Sequence, residues 1–236
     1  MMRQYLNIIL QSMSKNLIFI AINILGMSIS IGCCIVAYYN YRFNADFDRT
    51  HKNIQSIYRV SSLREFQQDQ KLYGIVPMVL GNLISQNFKD VDKVVRYNVG
   101  RLNLKIDDNV FTENIQFADP QFFEVFDFDF IEGDPRGLGD KSQLYISDEL
   151  ALKLFNSTKV VGRIISWVYN EDSLSELQIG GIFRKPPMNS SFSFNAVTNF
   201  NNYLRTNNGF TENSWYEPAI VFVLIKEKSR MPNIEK

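Results

Sequence analysis

Two cysteines and one histidine are all that this 236-residue sequence offers to thiol or imidazole chemistry. The cysteines are adjacent, Cys33 and Cys34, and both fall inside an apolar run. The rest of the chain therefore has neither a disulfide nor a thiol nucleophile, a composition suited to a compartment where free thiols are a liability. His51 lies in a polar stretch beside Lys52, with no second imidazole to complete a metal site. The G-x-S-x-G elbow of serine hydrolases is missing. So is G-x-x-x-x-G-K-[ST], so the chain has no phosphate loop with which to hold ATP. Neither sign of charge dominates, with 25 basic and 25 acidic residues, and this excludes the basic field of a nucleic-acid binder. No internal repeat or low-complexity linker divides the chain.

What the sequence does have is a long uncharged run. Between Lys15 and Arg42 no residue is charged, and Leu17–Tyr39 is apolar nearly all round. As a helix it would be about 35 Å long, enough to cross a hydrocarbon core of about 30 Å with some tilt. A soluble core helix needs only a stripe. The reading is one membrane-spanning helix over residues 17–41, separating a head (1–16) from a polar body (42–230), with residues 231–236 starting a further helix. The body is large enough to bury its own core without staples.

Met2, Leu6, Ile9, Leu10 and Met13 recur at helical spacing in the head. This predicts a short amphipathic helix, either lying along the membrane surface with Arg3 and Lys15 on the cytoplasmic side or serving only as a lead-in. Charge does not orient the span, because Arg42, Arg49 and Lys52 balance the head; an N-terminal anchor before a large domain favours the head inside. Within the span, Asn23, Gly26, Ser30, Cys33 and Ala37 follow at spacings of three and four, which places them on one stripe. Small residues let another helix approach, and an amide is costly facing lipid, so the stripe is read as a helix-packing surface. A lipoprotein signal ending at Cys33 is the competing reading; Ser30 replaces the expected apolar branched residue, and the apolar run continues to Tyr39.

The body reads as α+β with mostly antiparallel strands. A helix followed by a strand at Ile57–Val60 opens it, with Asp46 or Asp48 as a helix cap. An amphipathic helix is predicted over Val76–Phe88, and strands over Val91–Ile106 and Val110–Phe117. Asp119-Pro120 signals a helix start. Phe126, Phe128 and Phe130 alternate with Asp127 and Asp129 as in a strand with one aromatic and one acidic face. These acids lack the spacing of a calcium loop and read as a solvated face. Ser147 is placed as the cap of a helix over Asp148–Phe155. A hairpin is predicted from Val160–Val168 and Leu174–Phe183, a helix over Val197–Leu204, and a last strand over Ala219–Ile225. No catalytic set, metal site or cofactor site emerges.

Several stretches together resemble the long two-repeat permeases of the MacB/FtsX type. They are QYLNIILQSMSKNLIFIAINILGMSISIG, FNADFDRTHKNIQSIYRV, FADPQFFEVFDFDFIEGDP, LYISDELALKLF followed by VGRII, and GIFRKPPMNSSFSFNAV, in the family's order over most of residues 1–225. The resemblance implies one N-terminal transmembrane helix and then a mixed extracytoplasmic domain with a β-α-β base and a β-rich insert, roughly 113–190, at the inner membrane. It also implies a non-catalytic subunit. A separate ABC ATPase would bind the ATP, and further permease helices or a second permease copy, the lipid bilayer and a periplasmic partner would complete the assembly. Its work would be efflux or the handling of lipoproteins or peptides. The alternative is a single-span anchored binding or sensor module. The sequence stops at SRMPNIEK before the later membrane spans such permeases have, which points to a fragment, a truncated product or a split subunit. The second serine of Asn189-Ser190-Ser191-Phe192 also departs from the resemblance, which leads one to expect a bulkier polar residue such as histidine.

Overall fold

The computed structural model describes residues 15–48, 53–66, 69–170, 173–206 and 209–225. Two compact units divide the chain, Met1–Phe47 and Asp48–Lys236.

The first unit holds α1, Leu17–Ala45, 29 residues without a proline and with no buried side chain along its length. It is long and apolar enough to cross a membrane. Arg42 sits in its last turn, where a cation complements the helix dipole, and pairs with Asp46 at 3.4 Å. Of the short helix expected after the span, the described residues hold one 3-10 turn, Ile54–Ser56, directly before the strand at Ile57, with Asn53 and neither Asp46 nor Asp48 at its start. α1 absorbs residues 42–45 instead, and Asp46 closes this helix, its N–H donating to the Arg42 carbonyl at 3.0 Å. Residues 1–14 of the head, Arg3 among them, His51 and residues 231–236 lie outside the described residues.

The second unit is built on a ten-stranded sheet. Its strands are β1 (Ile57–Arg59), β4 (Val76–Pro77), β5 (Lys93–Ile106), β6 (Asn109–Ala118), β7 (Phe130–Gly133), β8 (Gln143–Ser147), β9 (Ile164–Asn170), β10 (Ser173–Phe183), β11 (Ala196–Asn199) and β12 (Pro218–Leu224). A separate hairpin pairs β2 (Ser62–Phe66) with β3 (Asp69–Tyr73). The helices are α2 (Val79–Asn87), α3 (Phe122–Val125), α4 (Asp148–Phe155) and α5 (Asn201–Thr206). The strand order is β1-β12-β5-β6-β11-β8-β10-β7, with β4 on β12 and β9 bridging β10 and β5. Most pairs are antiparallel, but β6–β11 and β8–β10 are parallel. Because β9 touches both β10 and β5, the strands β5-β6-β11-β8-β10-β9 close into a ring.

The long strand β5 explains the two halves of this architecture. From Val95 to Asn98 every residue is buried, as in a strand covered on both faces. Val95 and Tyr97 face an aromatic core with Phe122, Phe126, Phe183, Phe192 and Phe194. On the other face, Val94 packs with Val76, Met78, Phe200 and Val221. Beyond Gly100 the strand alternates, with Leu102 and Leu104 turned inward against Ile115, Phe117, Ile165, Trp167 and Ile179.

Three predicted elements are corrected. The helix expected over Val76–Phe88 starts only at Val79, because the position before Pro77 is driven to extended backbone and β4 pairs with β12. The predicted Phe126–Phe130 strand becomes a ladder only at Phe130; before it, Phe126 and Phe128 turn their rings into the core outside any strand. The helix expected over Val197–Leu204 is split. Ala196–Asn199 is a strand buried at all four positions between β6 and β8, and only Asn201–Thr206 is helical. The cap at Ser147 is as expected: its Oγ accepts from the Leu150 N–H at 3.1 Å.

Candidate functional site

α1 carries the residues singled out from the sequence. At 100° per residue, Asn23, Gly26, Ser30, Cys33 and Ala37 fall within an arc of about 80°. All five are exposed, as is Lys15 at the head of the helix. The helix has already satisfied one of these polar groups: the Ser30 hydroxyl donates to the Gly26 carbonyl at 2.8 Å. Ser28, off the stripe, does the same with Ile24 at 2.7 Å. A Cβ at Gly26 would meet nothing within the chain, so the groove there is open. Helix α1 runs on from Cys33 to Ala45 without a break, so the cysteine lies well inside it and not at the end of an apolar run.

In the second unit a polar cavity, about 540 Å³, is lined by Asn82, Ser85, Lys93, Arg96, Asp119 and Gln121 among others. At its wall, the Asp119 carboxylate accepts from the Arg96 Nε at 2.9 Å, from Nη2 at 2.9 Å and from the backbone N–H at 2.8 Å. The register of β5 on β6 sets Tyr97 opposite Ala118, which brings Arg96 to Asp119 one position on. The Arg96 guanidinium lies 4.6 Å over the Phe200 ring, and its stem passes so close to α2 that a Cβ at Gly81 would stand 2.4 Å from its Cδ. Burial pulls the basicity of Arg96 down, but the hydrogen bonds and charge of Asp119, with Glu212 at 3.8 Å, outweigh it and the net is upward. Two acids therefore face this one cation, and the pair is structural: breaking it would leave an uncompensated buried charge. Asp119 is thus a partner of Arg96 and does not cap the helix expected after it.

Asp129 is also spoken for, its Oδ2 accepting from the Arg184 Nε at 3.0 Å beside a small cavity of about 250 Å³ under Pro186 and Pro187. No group of three or more His, Cys, Asp or Glu that could hold a metal lies among the described residues.

A third feature had no local signal. Asp48, the first residue of the second unit, is in the left-handed region at φ 55°. Its N–H donates to the Asn189 carbonyl at 3.0 Å. The Ser191 N–H donates to its Oδ1 at 2.6 Å, and the Ser191 hydroxyl donates to its Oδ2. The Asp48 charge reaches Tyr97 as well. Burial raises the Tyr97 phenol, Arg59 opposes this, and Asp48 adds to it. The sequence presented Asp48 only as a helix cap and Ser191 only as a departure from an expected histidine. Their meeting across 143 positions is a product of the fold.

Comparisons with known proteins bear on the family and the fold. The family model of the MacB-like periplasmic core domain matches residues 20–236. Among solved structures, a domain of a candidate permease from Porphyromonas gingivalis is similar with a TM-score of 0.58 and 20% identity, over 75% of this chain and 76% of that one. The periplasmic region of MacB from Actinobacillus actinomycetemcomitans is similar with a TM-score of 0.53 and 14% identity, over 78% and 84%. At such identities these two structures speak for the fold, a mixed α/β domain. No curated protein matches the sequence. An apolar N-terminal helix followed by this mixed domain, matched by one family model from within that helix to Lys236, places the chain in the MacB-like periplasmic core domain family.

Proposed function

We propose that this chain is a non-catalytic permease segment of an ABC-type transport or mechanotransmission complex, with α1 in the inner membrane, the head on the cytoplasmic side and the body outside. In this reading ATP is bound and hydrolysed by a separate subunit, and the chain needs no cofactor of its own. Closing of the membrane helices moves the outer body, which pushes or releases a substrate such as a drug, peptide or lipoprotein.

The observation that carries the reading is the continuity of one family match from residue 20, inside α1, through the body. The stripe on α1 supports it. With Ser30 bonded to Gly26, Asn23 is the stripe residue whose side-chain amide has no partner along the helix, and such an amide favours a hydrogen bond to another membrane helix.

The test is crosslinking in native membranes from single cysteines, in a chain whose own Cys33 and Cys34 are replaced by Ser. A cysteine at Ser30, on the stripe, is expected to crosslink strongly to other membrane helices. One at Ile35, on the opposite face, is expected to crosslink weakly, and an ATPase should be recovered with the chain. Equal crosslinking at the two positions would remove the packing claim, and recovery of the chain without any ATPase would remove the transport claim.

A further inference from the structure

We infer that Asp48 is the coupling residue of the outer unit, the point at which displacement of the membrane helix is delivered to loop 189–192; this rests on the permease reading above. The chain leaves α1 at Ala45 and reaches Asp48 three residues later. There it meets three hydrogen bonds at once, one from its own N–H to Asn189 and two from Ser191 to its carboxylate. The loop that receives them is itself tied, with the Ser190 N–H on the Pro187 carbonyl at 3.1 Å and the Phe192 N–H on the Ser190 Oγ at 3.1 Å. Phe192 then enters the aromatic core, its ring 4.7 Å from Phe126, 5.5 Å from Phe122 and 6.0 Å from Tyr97.

Among the described residues the next attachment of this end of the chain is β1, a three-residue strand at the edge of the sheet, whose Ile57 packs against the same aromatic core. Short edge elements open with little free energy, whereas a ring wedged among other rings transmits strain. Movement at residue 47 therefore loads the middle of the body through Asp48, Ser191 and Phe192. The left-handed backbone at Asp48 limits what can replace it, because aspartate, asparagine and glycine tolerate this conformation and most other residues do not.

Asp48→Gly removes the carboxylate while keeping a residue at home at this φ, and Asp48→Asn restores a side chain that can accept from the Ser191 N–H. In the isolated chain, hydrogen exchange at the Ser191 amide is expected to rise about tenfold or more in Asp48→Gly and to return toward the wild-type rate in Asp48→Asn. In the assembled complex with its ATPase, added ATP is expected to change exchange across residues 189–194. Asp48→Gly is expected to abolish that response while ATP hydrolysis stays within about twofold, and Asp48→Asn to restore it. An ATP response that survives in Asp48→Gly overturns the coupling role and leaves the permease reading standing. A wild-type complex with no ATP response at these residues, or none formed with an ATPase, overturns the permease reading and the coupling role with it.

Discussion

Tyr145 shows how one side chain in β8 gathers the surrounding loops. It is fully buried, lies 5.1 Å from the Phe123 ring, and donates its hydroxyl to the Asp134 carbonyl at 2.7 Å. Burial, with the nearby charges of Asp134 and Asp140, pushes its phenol up to about 12 from an ordinary 10.0. An acid whose pKa is raised on folding contributes stability that is complete below the unfolded value and is lost as pH climbs to the folded one. Tyr145 should therefore cost the protein stability between pH 10.0 and about 12. Tyr145→Phe loses the hydrogen bond and is expected to be about 1 kcal/mol less stable near neutrality. Because the variant no longer loses stability through this group, its gap from wild type should shrink as pH passes 10.0. Urea denaturation of both proteins at neutral and alkaline pH reads this directly, and a constant gap would refute it.

Among the elements, α4 shows what local chemistry can specify. Ser147 caps it, Asp148 and Glu149 occupy its first turn, Lys153 its last, and Asn156 leaves it in the left-handed conformation at φ 51°. Each of these is a short-range signal, so the helix was legible at its true boundaries. Ser147→Ala is expected to destabilise the protein by about 1 kcal/mol. A shift of the denaturation midpoint at unchanged slope would measure that cost; no shift would mean the cap is idle. The strands β5 and β6 were legible for the same reason, with alternation on either side of a turn at Asp107. β4 and β11 were not. Val76–Pro77 is too short to show a period, and Ala196–Asn199 is buried on both sides, which removes the alternation that distinguishes a strand from a buried helix. The Asp48–Ser191 and Arg96–Asp119 pairs were illegible because their partners meet only through sheet register and loop placement.

For the molecule as a whole, ring closure is the property that no single stretch contains. Its seam lies where Asn103, Leu104 and Lys105 of β5 meet Val168, Trp167 and Ser166 of β9. There Trp167 is 1% exposed, while the second tryptophan, Trp215, is 59% exposed. Trp215→Phe should therefore leave blue-shifted fluorescence that acrylamide barely quenches. Red-shifted, quenchable emission from this variant would show that the ring does not close around Trp167.

That closure also bears on how the body behaves in a crowded compartment. Unpaired strand edges recruit the edges of other chains, and ten strands could present long ones. Folding β5 and β9 onto each other uses up two of the longer candidates. The ten-stranded sheet is left with end strands β1, β4 and β7, three, two and four residues long, too short to template another chain efficiently. The ends of the main sheet can thus resist pairing with other chains without relying on net charge, which this sequence does not have.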